Sequence, residues 1–244
     1  MSAFCLFLLL SALPSSPSPD IKAIISRLES RYRSPKLLKA VFLEQYFENG
    51  RLVRSEAGDA YFLRPGKMRW EYAKPENKVF LVDGKTAWFY VPADHTVTRV
   101  PAKKSTDWRT PLALLAGEMK LSRICSRVTQ SLSELPSLPG NVVLSCTPKG
   151  ATSKPSGTSS VSEPPESLEI LIEVQSTTGD IARISVRQPG STTIDFQFAN
   201  WQFDPPIPSS WFRFEPPPGT AIVNGQLPDR ENPVNPMPNP PLNP

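Results

Sequence analysis

Residues 67–92, KMRWEYAKPENKVFLVDGKTAWFYVP, read as three strands and the two turns between them. Met68, Trp70 and Tyr72 alternate with Lys67, Arg69 and Glu71, a period of two that sends successive side chains to opposite faces of a sheet. Lys74-Pro75-Glu76-Asn77 interrupts the pattern, because Pro cannot donate to a strand ladder. Asp83-Gly84 lies between KVFLV and KTAWFYVP, and Asp-Gly between two apolar runs is a strong two-residue hairpin signal. Turns this short join only antiparallel neighbours, so the segment predicts a meander.

The same reading extends in both directions. Upstream, KAVFLEQYFE and GDAYFL are strands separated by a break at Glu48-Asn49-Gly50-Arg51, and downstream HTVTRV adds another. His95, the only histidine, falls in a turn before it. The meander stops at TPLALLAGEMKL, a short helix beginning near Thr110-Pro111 with Pro in the first turn. Strands resume at CSRVTQ and NVVLSCTPK, and again after residue 166 at SLEILIEVQ, IARISVRQ, TTIDFQFANWQF and WFRFEP. Ile194, Phe196 and Phe198 alternate with Asp195 and Gln197, which gives one apolar and one wet face. Residues 20–33 form the clearest helix. Asp20 is its N-cap, Ile21, Ile24, Ile25, Leu28 and Tyr32 make one apolar stripe, and Pro35 stops it.

These elements give a mainly β (α+β) chain, a sheet of about ten strands that is wide enough to curl. The few helices must bury their stripes somewhere, and the economical place is the concave side of the sheet. The inward residues of such a sheet either pack into a core or enclose an apolar cavity, and the sequence leaves both readings open.

The ends differ from the middle. Residues 1–19 carry an apolar run, Ala3–Leu13, too short to span a bilayer and suited to a secretory signal peptide. Residues 150–166 are rich in Ser, Thr, Pro and Gly and read as a mobile insertion, and residues 226–244 hold seven prolines and read as a disordered tail. The folded domain is expected over 20–225. Cys125 and Cys146 remain once the leader is set aside. In an exported chain such a pair reads first as a disulfide, with two buried thiols as the alternative.

Composition narrows function. The net charge is +4, and its cations are spread along the chain, against a nucleic-acid interface. No metal-ligand spacing, phosphate loop or nucleophile elbow occurs, which disfavours an enzyme.

At this point several segments together resemble the periplasmic outer-membrane lipoprotein carrier family, LolA. They are RPGKMRWEY, VFLVDGKTAWFYVPADHTVTRV, TPLALLAG, LSCTPK and TTIDFQFANWQFDPPIPSSWFRFEPPPGTAIV, in order over about residues 20–223. The resemblance implies an incomplete, strongly curved antiparallel barrel of ten to eleven strands, with short helices as a lid over an apolar cavity. It implies a periplasmic monomer with no cofactor. Such a carrier takes lipoprotein acyl chains from an inner-membrane ATP-driven releasing (ABC) complex and passes them to an outer-membrane receptor. The implied cavity residues are Phe42, Phe62, Met68, Trp70, Tyr72, Phe80, Val82 and Phe89, with Ile194, Phe196 and Phe198 on the last long strand. The implied lid residues are Ile21, Ile24, Ile25, Leu28, Leu112 and Leu115. Arg64, before Pro65, matches the family arginine that holds the lid shut through lid carbonyls. The related receptor family carries a lipid-acceptor cysteine after its apolar run, and here Cys5 lies inside the run. A lipid- or partner-binding sensor or scaffold built on the same half-barrel is the alternative function.

Overall fold

The computed structural model describes residues 19–102, 112–116, 120–149 and 168–225. The leader up to residue 18, the insertion 150–166 and the tail 226–244 lie outside the described residues. Helix α1 spans Ile21–Arg33. The Asp20 side chain accepts from the Ala23 N–H at 3.2 Å, and Ile24, Leu28 and Tyr32 form the buried stripe. Two single-turn helices follow much later, α2 at Ala113–Ala116 and α3 at Leu121–Ile124.

Among the described residues there are twelve strands in one sheet. They are β1 (Leu37–Glu48), β2 (Arg51–Leu63), β3 (Lys67–Lys74), β4 (Lys78–Val82), β5 (Thr86–Val91), β6 (Thr96–Pro101), β7 (Cys125–Gln130), β8 (Asn141–Pro148), β9 (Glu169–Gln175), β10 (Ile181–Gln188), β11 (Thr192–Phe203) and β12 (Ala221–Asn224). The spatial order is β12-β6-β5-β4-β3-β2-β1-β11-β10-β9-β8-β7, so the sheet curls without closing. The expected antiparallel half-barrel is present, with two differences at its end. WFRFEP is not a strand. Ser209–Phe212 forms a 3₁₀ turn, and the residues after it cross the convex face as a strap. The strap then delivers β12, whose pairing with β6 is parallel. The sequence Arg213 to Pro218 cannot make a ladder, because three consecutive prolines lack N–H donors.

Register puts one apolar set inward. Across the first three strands the rows are Leu38–Phe62–Met68, Ala40–Ala60–Trp70 and Phe42–Gly58–Tyr72. Gly58 is obligatory, since a Cβ there would lie 1.8 Å from the Glu71 carbonyl oxygen. In β11, Ile194, Phe196 and Phe198 face inward, and then the register against β1 shifts. Asn200, at φ +55°, takes up the extra residue. The bulge turns Trp201 and Phe203 inward in place of Asn200 and Gln202, and both meet α1 at Tyr32. Cys125 and Cys146 form a disulfide between the edge strand β7 and its neighbour β8, inside the core. Closing a loop of 21 residues contributes about 3 kcal/mol by limiting the unfolded chain.

The convex face is not bare either. The cation of Arg69 lies 4.4 Å from the Trp211 ring and pairs with Glu71, and Phe214 stacks on Trp88. Farther round, Glu173 is buried and accepts from the Ser137 N–H, the Ser137 hydroxyl and the Asn141 amide, which ties the β7–β8 loop down. Burial alone would raise the pKa of Glu173, but those three donors and the Arg183 charge hold it below its ordinary value of 4.5. A depressed carboxylate stabilises the fold above its unfolded pKa and loses that contribution as pH falls through the folded value. Amide protection of residues 131–141 is therefore expected to be full at neutral pH and to fall on acidification below 4.5. In Glu173→Gln it should already be weak at pH 7 and flat with pH. Equal, pH-independent protection in both proteins, measured by hydrogen exchange, would contradict this.

Candidate functional site

Among the described residues the larger buried apolar cluster lies on the concave face. Trp70 is its centre, fully buried, with ring neighbours Phe42 at 4.8 Å, Phe62 at 5.6 Å and Phe196 at 5.5 Å, all close to edge-on. Phe42 also meets Tyr72 at 5.1 Å. Met68, Phe80, Val82, Ile194 and Phe198 belong to the same buried cluster, and Phe89 packs on it half-buried. Leu112, Leu115, Ile24 and Leu28 come down onto this cluster from the helices, with Ile21 and Ile25 at its margin. The described face is thus filled by its own rings and by the helices above it.

The helices are held unequally. At the α1 side, Arg27 donates to the Ser176 carbonyl, Arg31 pairs with Asp180 at 2.8 Å, and the Tyr32 oxygen accepts from the Ile181 N–H at 2.9 Å. Burial raises the pKa of Tyr32 far above its ordinary value, so the phenol stays neutral. Gly179, at φ +80°, lets the β9–β10 turn touch the helix backbone, and a Cβ there would sit 2.9 Å from Leu28 N. The α2 side has fewer ties among the described residues. The Arg64 guanidinium donates to the carbonyls of Arg33 and Pro35 at the end of α1 and to that of Leu115 in α2, the last at 3.3 Å. The Gly66 N–H adds a bond to the Ala116 carbonyl at 2.9 Å. Burial lowers the Arg64 pKa, partly countered by Asp204, and a guanidinium keeps its charge through such a change.

The structure also places a polar group where composition gave no warning. Glu44 is inward and buried, and the Tyr72 hydroxyl donates to it at 2.9 Å. Its partner in register is Glu56, which is paired to Lys78. The signal was in the strand itself. In KAVFLEQYFE, Glu44 shares the phase of Phe42 and Tyr46, and so shares their face. Among the described residues no three His, Cys, Asp or Glu side chains gather into a metal site.

Residues 37–153 match the family model described as outer membrane lipoprotein carrier protein LolA. Over 224 residues the chain is 26% identical to the outer-membrane lipoprotein carrier protein of Dechloromonas aromatica, covering 91% of this chain and 95% of that one. This chain is similar to the LolA family. The corresponding protein of Methylococcus capsulatus is 35% identical over 99 residues, 39% of this chain and 46% of its own length. A crystal structure of a LolA superfamily protein from Nitrosomonas europaea covers 79% of this chain and 97% of that one, at 8% identity and a TM-score of 0.41. Residues 168–224 match a second model, described as a predicted periplasmic protein, and the protein is periplasmic. No described helix is long and apolar enough to cross a membrane.

Within this fold the local stability of the two helices can be separated. Removing a charged donor from main-chain carbonyls costs roughly 1.5–3 kcal/mol, about a tenfold or greater rise in local opening. Arg64→Leu is expected to speed amide exchange at 112–116 by at least about tenfold. Residues 24–28, held from the β9–β10 side, should change little. Uniform exchange in both segments would show that Arg64 does not hold α2.

Proposed function

We propose that this protein carries the acyl chains of lipoproteins through the periplasm, from an inner-membrane ABC releasing complex to an outer-membrane receptor. The observation that carries the reading is the continuous apolar concave face, centred on Trp70, beneath helices tied to the sheet through a few main-chain carbonyls. The carrier names of its relatives support it. In this reading α2, with Leu112 and Leu115, is the movable lid, α1 is its fixed frame, and Arg64 is the latch. Phe42, Phe62, Met68, Trp70, Phe80 and Phe196 are the surface that cargo covers once α2 lifts, and residues 20–225 are the carrier domain.

Magnitudes favour loading. Each methylene taken out of water is worth about 0.8 kcal/mol, and a buried leucine side chain about 1.5–3 kcal/mol. Roughly four methylenes therefore replace one lid leucine on the face. A single long acyl chain outweighs Leu112 and Leu115 together, and it also outweighs a latch of one charged donor. Emptying needs a partner that offers the chains another apolar surface, because the closed form alone does not compete with the loaded one.

Added to spheroplasts, the purified protein should release a lipoprotein into the soluble fraction and deliver it to outer-membrane vesicles. Arg64→Leu should still accept cargo and deliver it less completely, since closure no longer opposes the chains. Failure of the wild-type protein to release any lipoprotein would reject the carrier reading in favour of a sensor or scaffold. Unchanged delivery by Arg64→Leu would remove the latch from the mechanism.

A further inference from the structure

The Trp70 indole N–H is fully buried, and no acceptor lies within hydrogen-bonding distance of it. Its ring neighbours are Phe42, Phe62, Phe196 and Phe198, and the next residues in its row are Ala60 and Ala40, none of which offers a side-chain acceptor. A buried donor left unpaired costs free energy that an apolar ring of similar shape would not. The closed form thus holds a donor at the centre of the very surface that the carrier reading exposes to cargo.

The face around it is graded. On the side nearer the lid the inward row is Leu38, Phe62 and Met68. One residue pair the other way, about 7 Å along the strands, it turns polar with Tyr72 bonded to Glu44 and with Glu56 paired to Lys78. An acylated glyceryl or amino group has the same gradient, with alkyl chain, then carbonyl, then polar head. We propose that Trp70 is the hydrogen-bond donor for an acyl carbonyl of the cargo. The alkyl chains then run toward Phe62, Met68 and the lid, and the head lies toward Tyr72 and Glu44. The inference rests on the carrier reading and adds a chemical specificity to it: ester- or amide-linked chains are preferred over ether-linked chains of equal length.

The test uses two synthetic probes, a dipalmitoyl lipopeptide with ester-linked chains and its dihexadecyl ether analogue, titrated into delipidated wild-type protein and into Trp70→Phe. The wild type is expected to bind the ester probe about tenfold more tightly, the worth of one uncharged hydrogen bond in a dry site. Trp70→Phe should bind the two probes with equal affinity. An ester preference that survives in Trp70→Phe, or no preference in the wild type, overturns the assignment and leaves the carrier reading intact. If the wild type binds neither probe, the carrier reading fails and this inference fails with it. Should Trp70→Phe not fold, the wild-type indole proton resonances decide. The slowly exchanging one should move downfield with the ester probe and not with the ether, and the same response to both probes overturns the proposal.

Discussion

An open sheet with one apolar face has to be covered by something other than itself. The sheet ends at β12 on one side and β7 on the other, and its concave residues cannot find partners across a closed barrel. Much of the remaining structure answers that need. The bulge at Asn200 brings Trp201 round to Tyr32, and Gly179 lets a turn come within reach of the helix backbone. Arg64 collects carbonyls at the end of α1 and in a one-turn helix, groups that have run out of helical N–H partners. The cover and its fastening by Arg64 thus follow from one requirement, the shielding of rings that the sheet leaves exposed.

The strands were the legible part. From Lys67 to Val91 alternation and the Asp83-Gly84 turn gave the three strands found there, because both signals are local. Asp83 accepts from the N–H groups of Lys85 and Thr86, both at 2.8 Å. What escaped was non-local. Trp211 and Phe214 look like the apolar side of a strand, yet their partners are Arg69 and Trp88, far away in sequence. The parallel β12 is set by where the strap lands beside β6, which no pattern within Ala221–Asn224 encodes.

The concave residues were legible in kind but not in state. Alternation put Met68, Trp70 and Tyr72 on one face, and the structure shows that face filled. Whether apolar side chains pack on one another or around a guest depends on the space between elements, and that is a property of the fold rather than of any strand. Glu44 was hidden for a different reason. It was visible in phase, but a carboxylate in an apolar strand is ordinarily assigned to water. Its burial depends on Tyr72, which stands two strands away across Gly58.

The unequal fastening of the helices gives the proposed mechanism its direction. A single helical turn has little stability of its own, and among the described residues α2 is held by the packing of Leu112 and Leu115 and by the bonds of Arg64 and Gly66 to its carbonyls. Helix α1 has independent ties to β9 and β10 and does not share that dependence. A ligand that replaces two leucines therefore displaces α2 without unfolding the frame that positions the rest of the lid. Because the displaced contacts lie on the surface that the ligand occupies, loading and opening become one equilibrium, set by the difference between lid and cargo contacts on the same rings.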